Sequence, residues 1–215
     1  MDEGKGEGKV MSERDSVMQS VKEAISDVRE GVSLPDYDSE ILVSSAHKAN
    51  ELGGWREFSG NFSAVNGRPM TQLEDLANFL KQDGHDSGYC DPGLKETVGE
   101  AMESAGLKVN YDLRREHIND HAFGITRASG LISESGTVVL NDEDTVDRLA
   151  ALAPWVHVAV IKDEPIFETI SEAIDSLGDS SNVIWVTGPS KTADIEGILI
   201  EGVHGPGVQI CLKIE

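Results

Sequence analysis

The sequence predicts an α/β protein whose parallel sheet carries helices on both faces. From residue 55 to the C-terminus, strand-type and helix-type segments follow one another, as in this fold class. The run Val156–Ile161 is apolar at nearly every position, which is typical of a strand buried on both faces. The run Val208–Ile214 instead alternates apolar and polar residues, which predicts an edge or outer strand with one wet face.

Each element follows from apolar spacing, caps and turn residues. Leu73, Leu76, Ala77 and Leu80 form one helical stripe, and Asp91-Pro92 is a helix start that leads to an end at Gly106. The predicted order is strand 55–65, helix 70–81, an extended piece near Tyr89, helix 91–106, strands 107–111, 137–140 and 155–161, helix 165–177, strand 183–187, helix 192–201 and strand 208–214.

Three regions are predicted along the chain. Residues 1–11 are rich in glycine and charge, which predicts a disordered tail. Residues 12–54 form a helical preface, with one helix from Ser12 to Glu30 and a second from Ser39 to Leu52. Residues 55–215 form the α/β domain.

The charge excludes some classes of partner. With 39 acidic and 18 basic residues the formal net charge is -21. Nucleic acids and anionic membrane surfaces both require a basic surface, so neither is expected as a partner. Two interpretations of the acidity stay open, a highly soluble surface and adaptation to high salt.

The two cysteines, Cys90 and Cys211, lie far apart and form no CxxC pair. A four-thiolate iron–sulfur cluster cannot be built from two thiols, so no cofactor or metal site is expected in this chain. We expect both to be reduced, buried residues. The sequence contains no long apolar run and no basic-then-apolar leader, so a cytosolic protein is expected.

The segment Thr187–Asp194 predicts the end of a strand, a tight turn and the start of a helix. Such a place suits an anion, because free N–H groups and the positive end of the helix dipole meet there. The candidate ligand-binding residues are Gly188, Pro189, Ser190, Thr192 and Asp194, and Lys191 is a possible further charge. The alternative is an ordinary turn whose serine caps a helix.

Two further segments contribute candidates. His204 in the run Val203–Gly207 is a possible acid or base, with Gly205 beside it, although the same run also suits a plain turn. Glu134 precedes the apolar strand at 137–140 and is the second candidate catalytic residue, with Gly136 and Thr137 as ligand-binding neighbours. A solvated turn is the alternative there.

Five motifs together carry a resemblance to a known family. They are Gly124-Ile125-Thr126, Glu134-Ser135-Gly136-Thr137, Trp155-Val156-His157-Val158, Thr187-Gly188-Pro189-Ser190-Lys191-Thr192-Ala193-Asp194-Ile195-Glu196 and Gly202-Val203-His204-Gly205-Pro206. From about Ile41 to its end the chain resembles the lactate-utilisation protein C branch of the LUD-domain family.

The resemblance implies a Rossmann-like α/β sandwich similar to the sugar-phosphate isomerase and CoA-transferase group. It also implies a part in oxidising L-lactate to pyruvate, beside partner proteins that carry iron–sulfur clusters. The segments matching Glu134–Thr137, Gly188–Glu196 and His204-Gly205 are expected at the ligand site. A stand-alone enzyme on a phosphorylated sugar or acyl-CoA, and a non-catalytic scaffold, stay open as alternatives.

The chain departs from the family at one place. Arg127, Ser129 and Gly130 stand where relatives often have glycine, acidic and aromatic residues. The acidic position is missing here, so two alternatives stay open: this chain binds a different ligand from its relatives, or it binds none.

Overall fold

The computed structural model describes residues 12–26, 54–142, 145, 147–177, 182–193 and 198–215. The chain divides into two units, residues 1–45 and 46–215. In the first, helix α1 spans Glu13–Ser26, and the Ser12 hydroxyl accepts a hydrogen bond of 3.2 Å from the Asp15 N–H. Ser12 therefore caps the N-terminus of α1. The predicted tail 1–11 and second helix 39–52 lie outside the described residues.

The second unit contains five α-helices and twelve strands within its described residues. The helices are α2 (Gly54–Ala64), α3 (Leu73–Gln82), α4 (Glu100–Ser104), α5 (Leu149–Leu152) and α6 (Ile170–Leu177). The strands are β1 (Arg68–Met70), β2 (Ser87–Cys90), β3 (Lys108–Asn110), β4 (Phe123–Arg127), β5 (Gly130–Ile132), β6 (Thr137–Asn141), β7 (Val156–Ile161), β8 (Ile166–Phe167), β9 (Val183–Val186), β10 (Lys191–Thr192), β11 (Ile200–Glu201) and β12 (Val208–Lys213).

Six strands form a central sheet in the order β1-β12-β7-β4-β2-β3, with every neighbouring pair parallel. β7 lies in its middle and all six of its residues are buried, so the prediction from the run 156–161 is confirmed. The edge strands β1 and β3 have three residues each. Four strands form a second sheet in the order β8-β5-β6-β9, where β6 is antiparallel to both neighbours.

The two faces of the central sheet are covered by different elements. On one face, alternate residues of β4, β7 and β12 pack against α3 and against the helical run 92–104. That run begins with a 3-10 turn at Pro92–Leu94, continues as a π-helix at Lys95–Gly99 and ends in α4. On the other face, Ala159 and Cys211 pack against α2 and against the inner residues of β5 and β6.

The segment 55–65 is an α-helix and not the predicted strand. Phe58 and Phe62 lie one helical turn apart, are fully buried and stack with ring centroids 5.1 Å apart. Trp55 stacks on Phe58 at 5.5 Å. Spacing of three and four places all three rings on one helix face, and this period decided the structure over the β-propensity of aromatic residues.

Two further predictions near the C-terminus are wrong. β12 is an interior strand and not an edge strand, because its polar residue Gln209 is buried and hydrogen-bonded inside the sheet. The predicted helix 192–201 begins and ends in strand, since Thr192 pairs with Ile200 in an antiparallel ribbon. In the predicted helix 165–177, the first residues form β8 and the helix begins at Ile170.

Several predictions agree with the structure. The stripe Leu76, Ala77 and Leu80 is buried on α3, and Asp91 caps the run 92–104 by accepting a 2.7 Å hydrogen bond from the Gly93 N–H. Cys90 and Cys211 are free and buried. None of the described helices is long and apolar enough to cross a bilayer.

Candidate functional site

The loops that follow β9 and β11 border a cavity of about 340 Å³. This volume lies in the range of small-molecule sites. Its walls are largely apolar, with a few polar side chains among them. The lining residues are Ala151, Leu152, Ile184, Trp185, Val186, Thr187, Gly188, Pro189, Ser190, His204, Gly205, Pro206 and Gln209. The two glycine-proline strings of the sequence therefore meet at one cavity.

Backbone hydrogen bonds hold these two loops together. The Ser190 N–H donates to the Pro206 carbonyl at 2.9 Å, and the Gly202 N–H donates to the Ser190 carbonyl at 2.9 Å. A Cβ on Gly205 would lie 3.1 Å from the Ser190 Cβ, so glycine is needed for this close approach. Ser190 therefore lies beside a strand ribbon, and the helix start predicted there is absent.

The turn at Gly188 serves packing against α2. Gly188 has a φ of +77°, and a Cβ there would collide with the Val65 carbonyl. The Lys191 Nζ donates to the same carbonyl at 3.0 Å and lies 3.6 Å from the Glu201 carboxylate. Lys191 is thus engaged by two groups of the same chain.

A buried polar row lies beneath the cavity and crosses three strands of the central sheet. His157 on β7 makes two hydrogen bonds of 2.9 Å, one to the Thr126 hydroxyl on β4 and one to the Gln209 Oε1 on β12. An amide oxygen can only accept, so the His157 Nδ1 donates to it and the Nε2 accepts from Thr126. Burial lowers the pKa of His157 to about 4, so the ring is neutral at pH 7.

This row connects the buried His157 with the cavity through Gln209. Gln209 is 1% exposed and lines the cavity, while its Nε2 makes one long hydrogen bond of 3.4 Å, to the Ile210 carbonyl. His157 is fully buried in the core. Gln209 was missed, because a polar residue in an alternating strand suggested a wet face. The signal that could have found it is a second polar residue, His157, in a neighbouring buried strand.

The turn Ser133–Gly136 lies apart from the cavity lining. Glu134 accepts a hydrogen bond of 2.6 Å from the Ile170 N–H at the start of α6, which places this candidate catalytic carboxylate in a capping contact. Gly136 has a φ of +63°, and a Cβ there would collide with the backbone of α2 at Phe62. The Asn61 amide of α2 donates to the Ser133 carbonyl at 2.7 Å.

One chain of hydroxyl groups links that turn to the cavity. The Thr137 Oγ1 lies 2.7 Å from the Ser135 Oγ and 2.7 Å from the Oγ1 of Thr187, a lining residue. Thr137 thus contacts a residue of the cavity wall without lining the cavity itself. Thr192 lies in β10 and outside the lining, and Asp194 falls outside the described residues.

A second cavity, of about 490 Å³, lies along the edge strand β3. Two contacts join polar groups of its lining: Arg114 lies 2.9 Å from Asp112, and His117 lies 3.1 Å from Asp120. Burial lowers the pKa of His121, whose ring also lines this cavity. No sequence motif maps to it. Within the described ranges, no three His, Cys, Asp or Glu side chains are grouped for a metal ion.

The architecture defines a mixed α/β protein with a mostly parallel central sheet. A crystal structure of a DUF162 family protein from Deinococcus radiodurans has a similar fold, with a TM-score of 0.55 at 19% identity, over 84% of this chain and 100% of that one. The LUD domain pattern matches residues 92–212, which include all the residues that line the cavity. The chain therefore belongs to the LUD domain family.

Curated relatives match shorter stretches. "Lactate utilization protein C" of Bacillus subtilis (strain 168) is 35% identical over 128 residues, which are 53% of this chain and 53% of the relative. The protein of the same name from Deinococcus radiodurans is 34% identical over 87 residues, 38% of this chain and 41% of the relative. The chain thus spans about half or less of the length of these relatives.

Proposed function

We propose that this chain serves lactate utilisation in the cytosol, as a subunit or accessory protein of a complex that oxidises L-lactate to pyruvate. The observation that carries the proposal is the LUD match over 92–212, together with relatives named for lactate utilisation. Iron–sulfur clusters would sit on partner proteins, because the two buried cysteines of this chain cannot supply four thiolates. The fold would belong to the Rossmann-like group of sugar-phosphate isomerases and CoA-transferases.

The proposed ligand of the cavity is a small hydroxy or keto acid anion. Leu152, Ile184 and Val186 offer an apolar wall for a methyl group, while the polar lining offers donors to oxygen atoms. The donors are the Ser190 hydroxyl, the imidazole of the exposed His204 and the Gln209 amide, which His157 orients. The proposal of an anionic ligand therefore rests on these side-chain donors, and no longer on the helix start that the sequence predicted.

The candidate residues take different parts in the proposal. His204 is the candidate acid or base, since it lines the cavity. The contact of Glu134 with the Ile170 N–H supports a structural role for that carboxylate, at the start of α6. A phosphorylated sugar is a weaker candidate ligand, because Lys191 is held by Val65 and Glu201.

Growth on L-lactate tests the proposal. In a host without another lactate oxidase, deletion of the gene should prevent growth on L-lactate and leave growth on pyruvate unchanged, and the wild-type gene should restore growth. Gly205→Val should fail to restore it at normal protein level, because the side chain would press on Ser190 and narrow the cavity. The matched control Gly60→Ala, at an open helix position, should restore it fully.

Two results would contradict the proposal. Unchanged growth of the deletion strain on L-lactate would remove the role in lactate utilisation. The second result is that Gly205→Val restores growth while a tagged chain still captures an iron–sulfur protein. The chain would then act as a scaffold, and its cavity would have no part in the reaction.

A further inference from the structure

The central sheet has a point at which the chain leaves neighbouring strands in opposite directions. From β2 the chain passes through the run 92–104 to β3 at one edge, whereas from β4 it proceeds to β7 on the other side. In open α/β sheets such a point opens a crevice at the carboxyl ends of the two strands, and ligands bind there. The residues at these two strand ends are Asp91, directly after β2, and Arg127, the last residue of β4.

Asp91 is a buried carboxylate with one oxygen that accepts no hydrogen bond from the described residues. It is 1% exposed, and its Oδ1 accepts the hydrogen bond from Gly93 described above. Its Oδ2 accepts no hydrogen bond from any described residue and lies 3.7 Å from the Arg127 Nε. Buried polar atoms are almost always hydrogen-bonded, so an unpaired oxygen on a buried charge requires an explanation.

Arg127 is the cation that faces this carboxylate. Its Nε is buried and has no hydrogen-bond partner in the described part of the chain, while 35% of its side chain is exposed. Arg127 therefore faces Asp91 through its Nε, and part of its side chain is exposed to solvent beside the two strand ends. A Cβ on Gly93 would lie 3.4 Å from the Nε, so a side chain there would crowd the guanidinium.

We propose that Arg127 binds a small carboxylate at this crevice and that Asp91 is its positioning residue. The two Nη groups of a guanidinium match the two oxygens of a carboxylate. A singly charged ligand fits better than a dianion, because the buried charge of Asp91 lies beside the arginine and the chain carries -21 overall. Neither residue lines the 340 Å³ cavity, so this site is separate from the one in the proposed function.

Calorimetric titration of the full chain with pyruvate at low ionic strength tests the proposal. The titration uses a Gly205→Val background, so that the narrowed cavity contributes less to binding. Arg127→Gln should weaken pyruvate binding by about tenfold or more, as expected for loss of charge-assisted hydrogen bonds. The matched control is Arg148→Gln, because Arg148 is 36% exposed and pairs with Asp142 at 2.9 Å, and binding should stay within about twofold.

Two further variants separate positioning from folding. Arg127→Lys keeps the charge and loses the fork, so it should weaken pyruvate binding in a chain whose circular dichroism is unchanged. Asp91→Asn should give a smaller loss than Arg127→Gln.

Three outcomes would overturn the proposal: no heat of pyruvate binding in the starting protein, equal binding by Arg127→Gln, or an equal loss in Arg148→Gln. Tighter binding of inorganic phosphate than of pyruvate would overturn the carboxylate assignment. Failure of the growth experiment on L-lactate leaves these outcomes unaffected, because they depend on Arg127 alone.

Discussion

The turn Ser133–Gly136 and the loops at 187–190 and 204–206 were expected to form one ligand site, yet they do different work. The turn is fastened to two helices, through Gly136 against α2 and Glu134 against the start of α6. The two loops meet each other and leave a cavity between them. Residues of one family motif set therefore divide into those that hold the scaffold and those that line the cavity. Substitutions should separate the two groups by whether stability or ligand binding changes.

The largest expected effect is at Gly136. Gly136→Ala would place a Cβ against the backbone of α2 at a positive φ, and the free energy of unfolding should fall by about 3 kcal/mol. Urea denaturation measures it. Gly60→Ala on the exposed side of α2 is the control and should be neutral or stabilising by up to about 1 kcal/mol. A stable Gly136→Ala protein would show that the turn is not fastened to α2.

The polar row beneath the cavity predicts a pH dependence of stability. The pKa of His157 is about 4 when folded, because burial disfavours the charged ring, against an ordinary value of 6.5. Between these values the unfolded chain binds more protons, so stability is complete above pH 6.5 and falls as the pH approaches 4. The loss from this group is about 3 kcal/mol.

Denaturation curves at pH 4 to 7 check this slope. His157→Gln should lack this part of the pH dependence, whereas His204→Gln, at the exposed cavity histidine, should retain it. Identical slopes for His157→Gln and the wild type would mean that His157 is not buried in its neutral form.

A smaller effect is expected at Glu134, and it discriminates directly between scaffold and ligand roles. Glu134→Ala removes the acceptor of the Ile170 N–H, so the free energy of unfolding should fall by about 1 kcal/mol while pyruvate affinity stays unchanged. Alanine at the exposed Glu116 is the control. Full stability with lost ligand binding would return Glu134 to the catalytic role predicted from its motif.

The smallest change in stability is expected at the cavity wall. Ser190→Ala should alter the free energy of unfolding by less than about 0.5 kcal/mol. It should weaken binding of L-lactate or pyruvate about three- to tenfold, because one hydroxyl donor is lost. Calorimetry measures the affinity. An unchanged affinity, or a marked loss of stability, would remove Ser190 from the ligand group.

The predictable part of the fold was the part whose burial pattern is repeated locally. In the uniformly apolar run of β7 and in the helical stripe of α3, a few neighbouring residues are enough to predict which side chains are buried. The proximity of the 187–190 and 204–206 loops could also be predicted, because both loops belong to the family motifs. The sequence without those motifs left an ordinary turn equally open.

The errors arose where contacts distant in sequence decide the structure. Gln209 looks solvated from its own strand, and its partner His157 lies 52 residues earlier. The helix expected from Thr192 gave way to a ribbon with Ile200, because Ser190 is already bonded to Gly202 and Pro206. Asp91 and Arg127 were not paired from the sequence, since their proximity depends on the strand order.

The short outer strands of the central sheet bear on how the protein behaves in a crowded solution. A sheet edge with unpaired N–H and C=O groups can recruit another chain and start aggregation. Here each edge strand offers three residues, and Pro69 at the centre of β1 has no N–H to donate. The net charge of -21 also makes two copies of the chain repel each other. Both features disfavour pairing of a second molecule with the edges of the sheet.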